Sequence, residues 1–158
     1  MEFMSDLLKG ASFHRGSSKQ DYETPSNFMA AVEARFGPIQ YDLAASVENT
    51  KAESFFTEED DSLGLSWSLS HGNLWLNPPF DDIKPWAKKC AEESKEGAKI
   101  LFLTPASIGS EWFAEYVYPF AGVIGLRPRL CFDGKNPYPK DCILSVYGER
   151  GFELWKWK

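Results

Sequence analysis

The stretch NLWLNPPF, residues 73 to 80, follows a short apolar run with an amide, two prolines and an aromatic ring. Proline lacks a backbone donor and fixes φ, so a strand formed by the apolar residues must end at Asn77. The stiff turn leaves two acceptors available, the Asn77 side-chain oxygen and the Pro78 carbonyl. An exocyclic amine carries two N–H donors and therefore matches this pair. The pattern indicates a site that holds an amino group.

An amine held between two acceptors is placed to act as a nucleophile. The acceptors orient the nitrogen and stabilise the positive charge that develops when it attacks an electrophile. Phe80 can stack on the attached ring, which is worth roughly 1–3 kcal/mol per base and is comparable to the cost of extruding a base from a duplex. We therefore expect a catalytic site made of Asn77, Pro78, Pro79 and Phe80. The structural alternative is an Asn-Pro turn with Phe80 in the core.

The residues around NPPF are typical of a βαβ unit. NLWL is a short strand, Pro85 begins a helix, and Ala98 to Pro105 is nearly continuously apolar, as expected of a strand buried on both faces. Asn77 then lies at the carboxyl end of a strand, which is where ligands bind in open α/β sheets. This location favours a functional role for the turn.

The other segments extend the α/β pattern. We predict a helix with Thr24 as N-cap and Pro25 at its first position, ending at Gly37, and then a strand from Ile39 to Leu43. A helix over 111–118 and a buried strand, GVIGL, follow. RLCF and CILSVY bracket the turn-rich DGKNPYPKD, which suggests an antiparallel pair. The predicted fold class is α/β, mainly parallel, with an antiparallel C-terminal pair.

Length and charge limit the possible functions. The 158 residues predict one domain over 21–158, preceded by a flexible segment, 1–20, in which residues 1–3 could be a cloning remnant. The 17 Lys and Arg against 23 Asp and Glu give a net charge of −6, which argues against a protein that coats nucleic acid by bulk charge. No apolar run reaches the roughly 18–20 residues that span a bilayer, so we expect a soluble cytoplasmic protein without a membrane partner.

Binding of nucleic acid therefore requires a local basic surface. Five basic residues near predicted strand ends and loops are the candidates for phosphate or base-edge contacts: Lys84, Arg127, Arg129, Lys135 and Lys140. The three cysteines lack metal-ligand spacing, and neither His14 nor His71 has a partner pattern, so no metal is predicted. Trp67 and Trp86 are predicted to be core residues.

The NPPF turn resembles the [DNS]-P-P-[YFW] motif of AdoMet-dependent amino-methyltransferases, and the whole chain resembles the phage-type Dam family of DNA N6-adenine methyltransferases. The matching segments, in the family's order from about Tyr22 to Gly148, are TPSNFMAAVEARFG, YDLAAS, NTKAESFFTEEDDSLGLSW, NLWLNPPFDDIKPW, LFLTPAS, EWF, RPRLCFDG and ILSVYG. The resemblance implies a compact, abbreviated Rossmann-like methyltransferase fold. It also implies S-adenosyl-L-methionine as cofactor, and double-stranded DNA as substrate, with the base extruded and the methyl group transferred directly to N6 of adenine.

The same resemblance suggests the cofactor contacts. It places Thr24 and Pro25 in the cofactor pocket, together with Asn77. A first cofactor motif would stand at Asp42-Leu43-Ala44, although the usual Gly-rich turn is replaced here by small residues. Either Asp60 or Asp61 would lie near the adenosine, and the choice between them stays open.

Other interpretations of the sequence also stay open. Similar motifs occur in amino-methyltransferases of RNA and of protein glutamine, and a non-catalytic nucleic-acid-binding module is the third hypothesis. The resemblance implies action in the cytoplasm of a bacterial host, if the gene is carried by a phage or prophage. The sequence leaves the oligomeric state open, with a monomer slightly favoured.

Overall fold

A computed structural model of the chain describes residues 23–68 and 72–158. The predicted flexible segment, 1–20, lies outside the described residues. Among the residues that are described, no helix is both long and apolar enough to cross a membrane.

In the described part of the chain, seven strands form one mixed sheet, accompanied by three α-helices and two short 3₁₀ helices. In chain order these are α1 (Ser26–Phe36), β1 (Ile39–Asp42), β2 (Ser54–Phe55), the 3₁₀ helices Glu58–Asp60 and Ser62–Gly64, β3 (Asn73–Leu76), α2 (Lys84–Lys95), β4 (Lys99–Pro105), α3 (Glu111–Tyr116), β5 (Ala121–Arg127), β6 (Cys142–Tyr147) and β7 (Phe152–Lys156). The strand order is β2-β1-β3-β4-β6-β5-β7.

The pairing of the strands confirms the predicted fold class. Only β6 runs antiparallel to its neighbours, β4 and β5, and the remaining four pairings are parallel. The mixed α/β architecture is consistent with a methyltransferase-like fold. The βαβ unit predicted around NPPF corresponds to β3, α2 and β4.

Two predictions for the C-terminal part were wrong in detail. RLCF is not a strand but part of a loop. Leu130 and Phe132 are nevertheless buried. The Leu130 carbonyl accepts a hydrogen bond from Tyr138 N at 2.7 Å, within the same loop. Burial of apolar side chains therefore did not require a strand there. The antiparallel partners of β6 are instead β4 and β5. The edge strand β7, parallel to β5, was not predicted at all.

Alternate residues of the central strands fill two cores on opposite faces of the sheet. Leu76 and Phe102 belong to the core under α2 and α3, whereas Trp75 and Leu101 belong to the core under α1. Successive side chains of a strand point to opposite faces, so the continuous apolar runs of β3 and β4 supply both cores. Asn77 comes two residues after Trp75 and is therefore directed to the α1 side.

Helix α1 is attached to the sheet through Phe28, which is fully buried. The Phe28 ring lies 6.4 Å from Trp75 of β3, 6.0 Å from Trp155 of β7 and 5.1 Å from Trp157, measured between ring centroids. At the other end of the helix, Arg35 forms an ion pair with Glu153 of β7. The position of α1 thus depends on β3 and on β7 together.

Candidate active site

Polar residues and prolines meet at the carboxyl edge of the sheet. Strands β1, β3, β4, β5 and β7 run in the same direction, so their carboxyl ends share one edge. Asp42 ends β1 and pairs in register with Trp75 of β3, and Asn77 follows β3 directly. The structure therefore brings Asp42 and the NPPF turn to neighbouring strand ends.

The Asn77 side chain is held by Thr24. Its Nδ2 donates a hydrogen bond to Thr24 Oγ1 at 2.9 Å, and Thr24 is only 2% exposed. The Asn77 Oδ1 atom is also buried. Because the amide nitrogen is directed to Thr24, the amide oxygen is directed away from it.

The contact with Asn77 corrects the prediction that Thr24 caps α1. The N-cap is Pro25, which precedes the first helical residue, Ser26, and among the described residues no side chain forms a capping hydrogen bond from this position. The Pro25 carbonyl accepts from Met29 N at 3.0 Å, as the first intrahelical bond. Thr24 lies one residue too early to cap the helix, and its hydroxyl oxygen accepts from a strand end instead.

Asp42 is a buried carboxylate that organises the loop after β1. Its Oδ1 accepts from Ala44 N at 3.2 Å, and its Oδ2 accepts from Lys51 N at 2.9 Å. Burial raises the pKa of Asp42 from 3.8 to about 6, although these two backbone hydrogen bonds and the nearby Lys51 charge act in the opposite direction. The carboxylate that is predicted to contact the cofactor therefore also has a structural role in this loop.

Two adjoining clefts lie at this edge. The smaller, of about 30 Å³, is lined by Thr24, Asp42 and Asn77, among others. The larger, of about 260 Å³, extends past Leu43, Asp61, Pro85 and Trp86. Ala44 and Pro79 line both clefts, so the NPPF turn stands at their junction.

The structure distinguishes the two candidate acidic residues. Asp60 Oδ2 accepts from Thr57 N at 2.7 Å and from Thr57 Oγ1 at 3.0 Å, as part of a capping box. Asp61 lines the larger cleft, and its backbone is left-handed, with φ of 51°. The sequence could not separate the two because both belong to one acidic run.

The larger cleft also contains residues that the sequence analysis did not assign to a site. Asp81 and Asp82 line it directly after NPPF, and Glu58 lines it from the first 3₁₀ helix. Trp86, predicted as a core residue, is half-buried and forms part of the wall, stacked on the buried Trp67 at 6.5 Å. The Asp-Asp pair immediately after Phe80 was the available signal.

Phe80 belongs to an aromatic cluster as well as to the turn. The half-buried ring meets Phe132 and Tyr138 edge to face, with centroids 6.0 and 5.9 Å away. These contacts join the NPPF turn to the loop between β5 and β6. Phe80 is therefore partly a core residue, as the structural alternative for NPPF predicts, because one side of its ring is packed against other aromatic residues.

The predicted basic residues all lie on the carboxyl side of the sheet, at the end of β5 or in segments that follow β3 or β5. Their environments differ. Lys84 pairs with Glu111 at 2.7 Å, and Arg129 pairs with Asp141 at 2.8 Å. Arg127 ends β5 and is exposed, and Lys135 and Lys140 are exposed in the following loop.

One further basic residue was missed. Lys156 of β7 is exposed and lies beside Arg127 in the β5–β7 register. The sequence FELWK after Gly151, with two aromatic residues and a leucine, was a strand signal that could have revealed it.

Comparison with known proteins supplies the family. The family described as DNA N-6-adenine-methyltransferase (Dam) matches residues 12–137. This chain belongs to that family. The match includes α1, the Asp42 loop, NPPF and most of the loop after β5. Among the residues with described structure, no cluster of three or more His, Cys, Asp or Glu suitable for a metal ion is present.

Three relatives illustrate the membership in the Dam family. The DNA N-6-adenine-methyltransferase of Escherichia phage T1 is 32% identical over 132 residues, which cover 82% of this chain and 55% of the relative. The protein of the same name from Haemophilus phage HP1 is 28% identical over 100 residues, covering 61% and 56%. YfdM of Escherichia coli K12, named as a candidate methyltransferase, is 32% identical over 69 residues, covering 41% and 71%. The chain thus spans about half the length of the two phage relatives.

Proposed function

We propose that this chain transfers a methyl group from S-adenosyl-L-methionine to the N6 amine of adenine in duplex DNA, at the NPPF turn. The observation that carries the proposal is the position of this turn at the junction of two clefts at the carboxyl edge of the sheet. A methyl donor and an acceptor amine must meet at one point. Pro79 of the turn lines both clefts, and Asn77 lines the smaller one.

The lining of the clefts fits the proposed cofactor. The larger cleft combines apolar surface from Pro85 and Trp86 with the Asp61 carboxylate, which suits an aromatic base that carries ribose hydroxyls. The smaller cleft contains Asp42, a buried carboxylate that suits an ammonium group. When bound, the cofactor supplies an electrophilic methyl group.

The turn itself would act on the amine. The Asn77 oxygen and the Pro78 carbonyl accept its two N–H groups, so that the nitrogen lone pair is directed at the methyl group. The buried position of Asn77 Oδ1 strengthens this interaction, because charge that develops on the nitrogen is poorly screened there. A general base is unnecessary when the nitrogen attacks first and loses its proton afterwards.

Phe80 and the basic surface would hold the DNA. The part of the Phe80 ring that remains exposed offers a stacking surface for an extruded base. Arg127, Lys135 and Lys140 provide exposed positive charge on the same side of the sheet, and Lys156 extends it. Such local contacts are needed because the chain as a whole carries a net charge of −6.

The test is mass spectrometry of nucleosides from the DNA of a strain that lacks adenine methylation and expresses this chain. We expect N6-methyladenine with the intact chain and a rate lower by roughly 10²–10³ for Asn77→Ala, since one preorganised polar contact to developing charge is lost. Asn73→Ala is the matched control. Asn73 lies at the opposite end of the same strand and donates to the Phe36 carbonyl at 2.8 Å, so its loss should leave methylation unchanged.

The outcomes separate the rival functions. Unmodified adenine with folded protein, together with labelled methyl transfer to RNA or ribosomal protein, would replace DNA as the acceptor. Cofactor binding by calorimetry without transfer to any acceptor would favour a binding module. Equal loss of methylation in Asn77→Ala and Asn73→Ala would contradict the placement of the site at NPPF.

A further inference from the structure

We infer that Thr24 is a positioning residue, which holds the Asn77 amide with its oxygen towards the reacting amine. This inference rests on the proposed function and deepens it. It starts from one contact, in which Asn77 Nδ2 donates to Thr24 Oγ1 at 2.9 Å across 53 residues of sequence. A role as cofactor contact alone does not account for this contact.

The orientation of an asparagine amide needs a partner to define it. The oxygen and the NH₂ group have similar shapes, and the terminal torsion of asparagine is broad and roughly two-fold. Only the oxygen can accept from an incoming amine, whereas the NH₂ group would set donor against donor. The two prolines stiffen the backbone after Asn77 but leave this torsion undetermined. A neighbouring polar group must therefore fix it. A threonine hydroxyl can accept or donate, and in this structure Thr24 Oγ1 accepts from Asn77 Nδ2, which leaves Oδ1 on the other side.

Thr24 is well suited to hold the amide in this orientation. It is 2% exposed, so water does not compete for its hydroxyl, and its β-branched side chain has restricted rotamers. Four residues later, Phe28 packs on Trp75, which lies two residues before Asn77. This contact keeps the start of α1 and the end of β3 at a constant distance. The hydroxyl is not used as a helix cap, because the N-cap is Pro25.

The test compares Thr24→Val, which keeps the shape but loses the acceptor, with Thr24→Ser, which keeps the hydroxyl. For Thr24→Val we expect a single-turnover methylation rate lower by about tenfold, in line with the loss of one hydrogen bond, and an unchanged Kd for S-adenosyl-L-methionine. Thr24→Ser should restore most of the rate. In an Asn77→Ala background, Thr24→Val should have no further effect, because there is no amide left to orient.

Three results would overturn the positioning role. The first is a wild-type rate in Thr24→Val. The second is a rise in the cofactor Kd that accounts for the whole loss of rate, which would make Thr24 a cofactor contact. The third is a loss of the same size in the Asn77→Ala background, which would make Thr24 a purely structural residue.

A second measurement separates this inference from the proposed function. Solvent exchange of the Asn77 side-chain NH₂ protons can be followed by NMR, with Asn77→Ala assigning the signals. We expect protection in the wild-type chain and faster exchange in Thr24→Val. If the wild-type chain transfers no methyl group, the proposed function fails, and unchanged exchange in Thr24→Val would then still overturn the contact.

Discussion

Asp42 combines a structural role with a charge that burial disfavours. Two backbone amides donate to its carboxylate, yet burial is the larger influence and raises its pKa to about 6. Keeping Asp42 ionised in the folded chain therefore costs free energy. A cationic group bound in the small cleft would lower this cost, which is a physical reason for a charged ligand to bind beside Asp42.

The dependence of stability on pH should reveal this cost. The folded chain binds the Asp42 proton more tightly than the unfolded chain, whose pKa is near 3.8. The contribution of Asp42 to the free energy of unfolding is thus fully present below pH 3.8 and lost as the pH rises through about 6, by about 3 kcal/mol. Urea unfolding between pH 4 and 7.5 should show the decrease in the wild-type chain and a smaller one in Asp42→Asn. Identical pH profiles for the wild-type chain and Asp42→Asn would refute this contribution of Asp42.

Strand β7 changes the shape of the proposed DNA surface. It places Lys156 next to Arg127, at the carboxyl edge that also holds NPPF. Neighbouring strands are about 4.8 Å apart, so β5 lies about 14 Å from β3 across the sheet, and β7 about 19 Å. These distances suit contacts with phosphates that flank an extruded base.

Neutralising this pair of charges should alter the salt dependence of DNA binding. We expect Arg127→Gln and Lys156→Gln each to weaken duplex binding and to reduce the slope of log Kobs against log salt by about 0.9, because each contact releases about one counterion. Fluorescence anisotropy between 50 and 200 mM salt measures this.

Lys99→Gln is the control for these two variants. It removes the same charge from an exposed position at the opposite edge of the sheet, where β4 begins. If Lys99→Gln changes the slope equally, the effect belongs to the net charge, and the proposed surface is wrong.

The fold as a whole ties the candidate site to the C-terminal part of the chain. Trp157 N donates to the Arg127 carbonyl at 3.0 Å, and its Nε1 donates to the Pro128 carbonyl at 2.8 Å. Its ring packs on Phe28 of α1, the helix that Thr24 precedes. The residue that follows the last strand therefore helps to hold α1, and Thr24, just before this helix, contacts Asn77.

Loss of this packing should destabilise the folded chain. We expect Trp157→Ala to lower the free energy of unfolding by about 2 kcal/mol, less than for a fully buried tryptophan because the ring is half-buried. Leu154→Ala, in the adjoining strand β7 but 70% exposed, should change it by no more than about 0.5 kcal/mol. Urea denaturation measures both, and equal effects would show that the Phe28 contact is unimportant.

Local patterns predicted much of the fold. The apolar runs and the prolines located β3, α2 and β4, because these signals act over a few residues. The same reasoning failed for Leu130 and Phe132, which are apolar but buried from a loop. Reasoning from apolar runs also omitted β7. This strand lies at the edge of the sheet, and its apolar residues Phe152 and Leu154 are exposed and do not belong to the core.

The sequence by itself determined where the strand before NPPF ends and that an amide and two prolines follow, since proline restricts the backbone wherever it stands. It also determined the resemblance to the Dam family. Only the tertiary structure decided that Thr24 contacts Asn77, that Asp61 and not Asp60 lines the cleft, and that Lys156 lies beside Arg127. Each of these depends on contacts between distant segments or on the direction of one side chain, which local composition does not specify.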